Sequence, residues 1–355
     1  MPAQELHSYE LPKLKAGMLL GKSVLDLRGR ILLSEGTVLS DPLIDRLFRL
    51  GVEDVMIQEE ASVTLEGSVT LEAAKVESLH KAAKVIKDAF KAIEHYDKVP
   101  VKVFENVAKS DLIPIVNGPA SLNYLTLDHP APEYLFNHSM NVGLLSGAIG
   151  KWLGYEEKAI SDLIMAGLLH DIGKAKIPAE LVNKPGKLSE AEMKVMRLHA
   201  TYSYSMIASL PGISKEAAFA VLQHHERLDG SGYPGHFTAD KIHPYSRIVA
   251  IADTYDAMIS NRLYSEKVTP FAAAEHLSKN MYGKFDIEIC STFLNEFGQS
   301  ISGNMVKLTD GSEGQLIITG PFVTAKPILH RLDGQFVTLP DFKSIAEIMP
   351  YPISS

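Results

Sequence analysis

In Leu168-Leu169-His170-Asp171-Ile172-Gly173-Lys174-Ala175-Lys176-Ile177-Pro178, an apolar helical run stops at a His-Asp pair. Leu163, Ile164, Leu168 and Leu169 recur at helical spacing, which places one face of the run in a core. The imidazole of His170 and the carboxylate of Asp171 then stand together at its end, where they present unlike donors to one ion. Gly173 and Pro178 break the helix and bring Lys174 back over the same spot.

On both sides of this stretch the pattern stays helical. From about 133 to 298, helices are predicted near 134–151, 156–170, 189–209, 214–225, 245–260, 269–280 and 286–299. Ser189 with Glu192 reads as a capping box at the start of the helix that carries His199. His138 and Asp253 lie within other helices, and His224-His225 ends one that runs into Glu226-Arg227-Leu228-Asp229-Gly230-Ser231-Gly232-Tyr233-Pro234. A lone histidine on a helix is commonly a packed or solvated side chain. Here His138, His170, Asp171, His199, His224, His225 and Asp253 all punctuate apolar helices of one domain, a pattern that points to metal chemistry.

The flanks read differently. Residues 1–60 alternate short β-like runs at 18–20, 23–26 and 31–33 with glycines. Ser40 is the expected N-cap of a short helix with Leu43, Ile44, Leu47 and Leu50 on one face, and 52–57 reads as a closing strand. This is a small α+β module suited to packing or docking. Residues 61–132 form a helical linker region, with an apolar stripe from Leu71 to Ile93 and a second helix near 99–116. These helices either pair with a second copy of the chain, giving a homodimer, or lie on the next domain. Residues 301–355 return to short runs such as 315–319 and 335–339, a small β module. The expected fold is mainly α: a helical domain over 133–300 between an α+β module and a β module.

Composition narrows the function classes. The 355 residues are 46% hydrophobic and 22% charged, an ordinary globular balance for two or three domains. A formal charge of -8 excludes the broad basic surface of a nucleic-acid binder, so an anionic ligand has to be held locally. The single Cys290 excludes an internal disulfide and fits a reducing compartment. No secretory pattern opens the chain, and no apolar stretch approaches the roughly 20 residues of a membrane span. A cytoplasmic protein with neither nucleic acid nor membrane as partner is expected.

Taken in order, His138-Ser139, His170-Asp171-Ile172-Gly173-Lys174, His199, His224-His225-Glu226 with Asp229-Gly230-Ser231-Gly232-Tyr233-Pro234, and Ser246-Arg247-Ile248 leading to Asp253 and Asp256-Ala257 carry a family resemblance. Over residues 133–298 the chain resembles the HD-GYP family, a branch of the HD superfamily of metal-dependent phosphohydrolases. That family hydrolyses the bacterial second messenger cyclic di-GMP to pGpG and often on to GMP, and this is the activity the resemblance implies. It implies one divalent ion held by His138, His170, Asp171 and Asp253, and a second held by Asp171, His199, His224 and His225, with Asp171 as the bridge. Mixed imidazole and carboxylate donors suit Fe or Mn and also accept Zn or Ni. Some members bind a third ion through a Glu four residues before the first His. Tyr134 stands there and Glu133 is one residue off, on another side of the helix, so two ions are expected.

Two cations about 3.5–4 Å apart can lower the pKa of a bridging water, orient the hydroxide and neutralise charge growing on the phosphate. Within that mechanism Asp171 and Lys174 are the expected catalytic residues, Lys174 reaching a non-bridging phosphate oxygen. Arg262 matches a family position that contacts the other phosphate. Tyr233 and Pro234 shape the pocket rim, which in the family contacts either guanine or a GGDEF-type partner. Two positions depart from the family: Pro132 where an acidic residue is common, and Ser265 where a basic one is. Both surround the ligand rather than bind ions. They leave open a degenerate domain that binds cyclic di-GMP or a GGDEF-type protein without cleavage; hydrolysis of another cyclic dinucleotide is the third reading.

Overall fold

The structure is a computed structural model that describes all residues except 1–5, 16–17, 19, 26–30, 34–36, 38, 40–42, 45–46, 49, 51, 53, 59–70, 119–120, 127–133, 261–267, 319, 324, 350–352 and 355. The chain divides into one unit of Met1–Thr70 with Ile301–Pro352 and another of Leu71–Ser300 with Ile353–Ser355.

In the first unit, β1 (Leu6–Glu10) pairs antiparallel with β4 (Asp54–Gln58), Leu6 opposite Gln58 and Glu10 opposite Asp54. Between them in sequence, β2 (Val24–Leu25) and β3 (Ile31–Leu33) form a second antiparallel pair. Leu11, Leu14, Leu20, Leu39, Ile44, Leu47, Val55 and Ile57 close a small core, so Ile44 and Leu47 of the expected helical stripe face inward. The N-cap expected at Ser40 lies outside the described residues.

The second unit is helical. After β5 (Leu71–Glu72), α1 (Ala73–Tyr96) buries Val76, Leu79, Ile86, Phe90 and Ile93 at the spacing of one helix face. α2 (Val101–Val107), a π-helical turn at Ala108–Leu112 and α3 (Ile113–Asn117) follow. Phe90 meets Phe104 and Phe136 edge-on, at ring-centroid distances of 6.2 and 5.5 Å. The sequence left two places open for these helices; α1 lies on the domain that follows.

At its centre is α4 (Tyr134–Trp152), buried at every position from 137 to 150. A helix apolar on all sides is stable only when surrounded. α5 (Glu157–Leu169) crosses it where a Cβ on Gly167 would stand 2.6 Å from Gly143 Cα, so the two backbones touch and only glycine fits. α5 buries Leu163, Ile164, Leu168 and Leu169, each contributing about 1.5–3 kcal/mol by transfer. A short 3-10 turn, Ile172–Lys176, and α6 (Ala179–Val182) lead to α7 (Glu190–Ile207). The expected capping box is present there, Glu192 N donating to Ser189 Oγ at 3.3 Å and Ser189 N to Glu192 Oε2 at 2.8 Å. α8 (Lys215–Gln223), α9 (Pro244–Ile259), α10 (Pro270–Asn280) and α11 (Ile287–Ile301) complete the domain.

The chain then returns to the first unit. β6 (Met305–Leu308), β7 (Glu313–Ile317), β8 (Ile328–Arg331), β9 (Phe336–Thr338) and β10 (Ile345–Ile348) form an antiparallel sheet in the order β10-β6-β7-β8-β9. β11 (Ile353–Ser354) pairs in parallel with β5 in the helical unit. No helix among the described residues is long and apolar enough to cross a membrane.

Candidate metal centre

Five helices deliver their ends or middles to one point. The close crossing of α4 and α5 sets His138 against His170, with ring centroids 5.1 Å apart. The turn after α5 is fastened to α7: Gly173 N donates to Ser203 Oγ at 2.8 Å, and a Cβ on Gly173 would meet His199 O at 2.2 Å. That fastening draws His199 to the His-Asp pair. α8 ends at His224-His225, whose rings lie 4.9 Å from His170 and 5.0 Å from His199 respectively. Asp253 comes from the middle of α9.

Around Asp171 the donors fall into two groups. His138, His170 and Asp171 offer one ligand atom each within 4.8 Å of one another, and so do His199, His224 and His225. Asp171 reaches both: Oδ2 lies 3.4 Å from His170 Nε2, while Oδ1 lies 3.3 Å from His199 Nε2. Asp253 spans them as well, Oδ1 standing 3.1 Å from His138 Nε2 and Oδ2 3.6 Å from His225 Nδ1. His199 Nε2 is 3.3 Å from His224 Nε2 and 3.2 Å from His225 Nε2. His170 Nε2 is buried with no hydrogen-bond partner, an expensive arrangement unless the lone pair serves another purpose. A divalent ion fits that donor set.

Four of the five rings are oriented from behind. The Nδ1–H groups of His170, His199 and His224 donate to carbonyls three residues earlier, Gly167, Met196 and Val221, at 2.7, 2.8 and 2.7 Å. Because each proton is held on Nδ1, Nε2 is the atom presented to the centre. His138 uses a carboxylate instead: Nδ1 lies 2.6 Å from Asp256 Oδ2, and Asn141 Nδ2 donates to Asp256 Oδ1 at 2.8 Å. Asp256 is fully buried. Sequence reading quoted Asp256 without giving it a role and missed Asn141. The available signal was position, since each lies three residues after a donor on the same helix.

Electrostatics favour the ligand forms. Burial, with the neighbouring imidazoles, pushes His224 down to about 3 and holds His199 and His225 below their usual value, so these rings are neutral near pH 7. Burial alone would raise Asp171; Lys174, His170 and His199 outweigh it and keep the carboxylate ionised. Asp253 is likewise ionised, with His138 and His225 overcoming burial. His138 differs: burial opposes its charge, but Asp253 and Asp256 prevail and push it up to about 9.

Lys174 sits where its sequence position implied, Nζ 2.5 Å from Asp171 Oδ2. The loop after His225 is built on Glu226, a buried carboxylate that accepts from Gly235 N at 2.6 Å and Phe237 N at 3.0 Å. This holds Tyr233 against the cluster, its ring stacked on His225 at 4.5 Å; the Tyr233–Pro234 peptide is cis, and Pro234 is exposed. Arg227 is committed to backbone carbonyls, Nη1 donating to His224 O at 3.1 Å and Glu226 O at 2.8 Å. Arg262, Pro132, Glu133 and Ser265 lie outside the described residues.

Comparison with known proteins agrees with this geometry. Residues 128–289 match the HD domain family. The chain is 31% identical over 203 residues to a cyclic di-GMP phosphodiesterase of Pseudomonas aeruginosa, covering 57% of this chain and 49% of that protein. It is 40% identical over 132 residues to 3'3'-cGAMP-specific phosphodiesterase 1 of Vibrio cholerae, covering 37% of this chain and 30% of that protein. The chain thus spans about half or less of the length of these relatives. Among solved structures, an HD-GYP-type protein of Bdellovibrio bacteriovorus superposes with a TM-score of 0.51 at 17% identity, over 81% of this chain and 98% of that one, a likeness of fold. The His and Asp cluster lies wholly within the matched residues, so the helical unit of this chain contains an HD domain.

Proposed function

We propose that this chain hydrolyses the phosphodiester bonds of cyclic di-GMP, giving pGpG and/or GMP, at a centre of two divalent cations, Fe or Mn. The observation that carries the reading is Asp171: its two carboxylate oxygens address two different imidazole groups, the arrangement a bridging ligand requires. Cations bound there supply Lewis acidity toward the phosphate and a water-derived nucleophile at neutral pH. The remaining work belongs to the chain. His138, His170, Asp171 and Asp253 form one ligand set and Asp171, His199, His224 and His225 the other. Lys174, now paired with Asp171, is placed to transfer its charge to a non-bridging phosphate oxygen. Tyr233 and Pro234 border the pocket, and Arg262 takes the second phosphate.

The test is turnover by protein purified anaerobically with Fe or Mn. Loss of cyclic di-GMP with appearance of pGpG or GMP supports the proposal; metal-loaded protein that leaves it intact overturns it. The likeness to a 3'3'-cGAMP-specific phosphodiesterase favours a second reading, hydrolysis of another cyclic dinucleotide. Cleavage of 3'3'-cGAMP but not cyclic di-GMP in the same assay selects it. Tight binding without cleavage of either selects the degenerate reading, in which the Gly-Tyr-Pro loop serves a GGDEF-type partner.

A further inference from the structure

Among the described residues, three basic side chains stand beside the ligand cluster or its Tyr233 loop, and two are committed: Lys174 to Asp171, Arg227 to the carbonyls of His224 and Glu226. Arg197 is the third. It precedes His199 by two residues on α7 and is exposed, and its guanidinium carbon lies 5.1 Å from the Tyr233 ring centroid. Among the described residues, no carboxylate pairs with it. Tyr233 in turn lies against His225 at 4.5 Å and 6.4 Å from His199. A cation seated over an aromatic face keeps its donors available at the edge, and the aromatic ring restrains its position.

We propose that Arg197 is a specificity-determining residue that reads the guanine of a cyclic dinucleotide. The inference rests on the cyclic dinucleotide reading of the site. In that reading the scissile phosphate is covered by the metal ligand sets and Lys174, which leaves the purine attached to it to be held at the rim where Tyr233 and Arg197 stand. Guanine shows two acceptors, O6 and N7, on one edge, and the guanidinium fork offers two parallel donors to them. Adenine shows an amino donor in place of O6, so the same fork meets a donor and loses one bond. Lysine, a point charge with no fork, does not reproduce the match. Arg197 thereby makes the centre prefer guanine-containing cyclic dinucleotides.

The experiment compares metal-loaded full-length wild type, Arg197→Met and Arg197→Lys with cyclic di-GMP and cyclic di-AMP. Both kcat/KM and the equilibrium dissociation constant by calorimetry are recorded, with metal content as the control for an intact centre. Wild type is expected to prefer cyclic di-GMP, and that ratio should fall about tenfold to a hundredfold in Arg197→Met. Arg197→Lys should fall nearly as far. A ratio unchanged by substitution overturns the proposal, including the case where both ligands lose equally, as a phosphate contact or a packing role predicts. Restoration by lysine, or a wild type without preference, overturns it too. Should wild type bind both nucleotides and cleave neither, a shifted binding ratio retains Arg197 while the hydrolase reading falls; if it binds neither, both fall.

Discussion

The proton of His138 is favoured, and this has a measurable effect on metal uptake. Its value is raised from 6.5 to about 9 because Asp253 and Asp256 overcome burial. The ion-free protein therefore holds this proton through neutral pH, and an incoming cation has to displace it. Metal affinity should rise as pH rises through that window and level off above about 9. Titration calorimetry at pH 7 in buffers of different ionisation enthalpy should record proton release, and its absence contradicts the assignment. Asp256→Asn tests the support behind the ring. It keeps the volume but removes the charge, so metal affinity should drop about tenfold to a hundredfold with little change in helix content by circular dichroism. At this scale the sequence was legible where residue type announces chemistry: imidazoles and carboxylates ending apolar helices. Asp256, Asn141 and Arg197 were not, because a polar residue inside a helix looks the same from sequence whether it supports a ligand or meets solvent.

The helices themselves follow from apolar periodicity and caps. Predicted 189–209 is observed as Glu190–Ile207, and predicted 214–225 as Lys215–Gln223, where Ser214 Oγ accepts from Ala217 N at 3.1 Å. How they meet was less legible. Glycine within a helix reads as weak propensity, whereas Gly143 and Gly167 are where two backbones touch and Gly173 is where the His-Asp turn locks onto α7. Gly173→Ala should force that turn away from α7, costing about 1–3 kcal/mol in urea unfolding and lowering metal occupancy together. Ser189→Ala provides the contrast. It removes only the cap of α7, so a loss of about 1 kcal/mol with metal content intact is expected. Equal loss of metal in both variants contradicts the role given to the Gly173 turn.

Across the whole molecule, the sequence separated a helical centre from strand-bearing ends because periodicity changes from about 3.6 to 2 there. It gave no sign that residues 1–70 and 301–352 form a single unit, since that grouping joins segments from opposite ends of the chain. The placement of α1 was open for a similar reason: an apolar stripe states that a face is covered, not by what. At the centre the chain closes six other donors around Asp171, and metal content per chain tests this most directly. Mass spectrometry of protein prepared anaerobically with Fe or Mn should find two ions per wild-type chain and their loss in Asp171→Ala. A wild type that holds none, or an Asp171→Ala variant that retains both, contradicts the account.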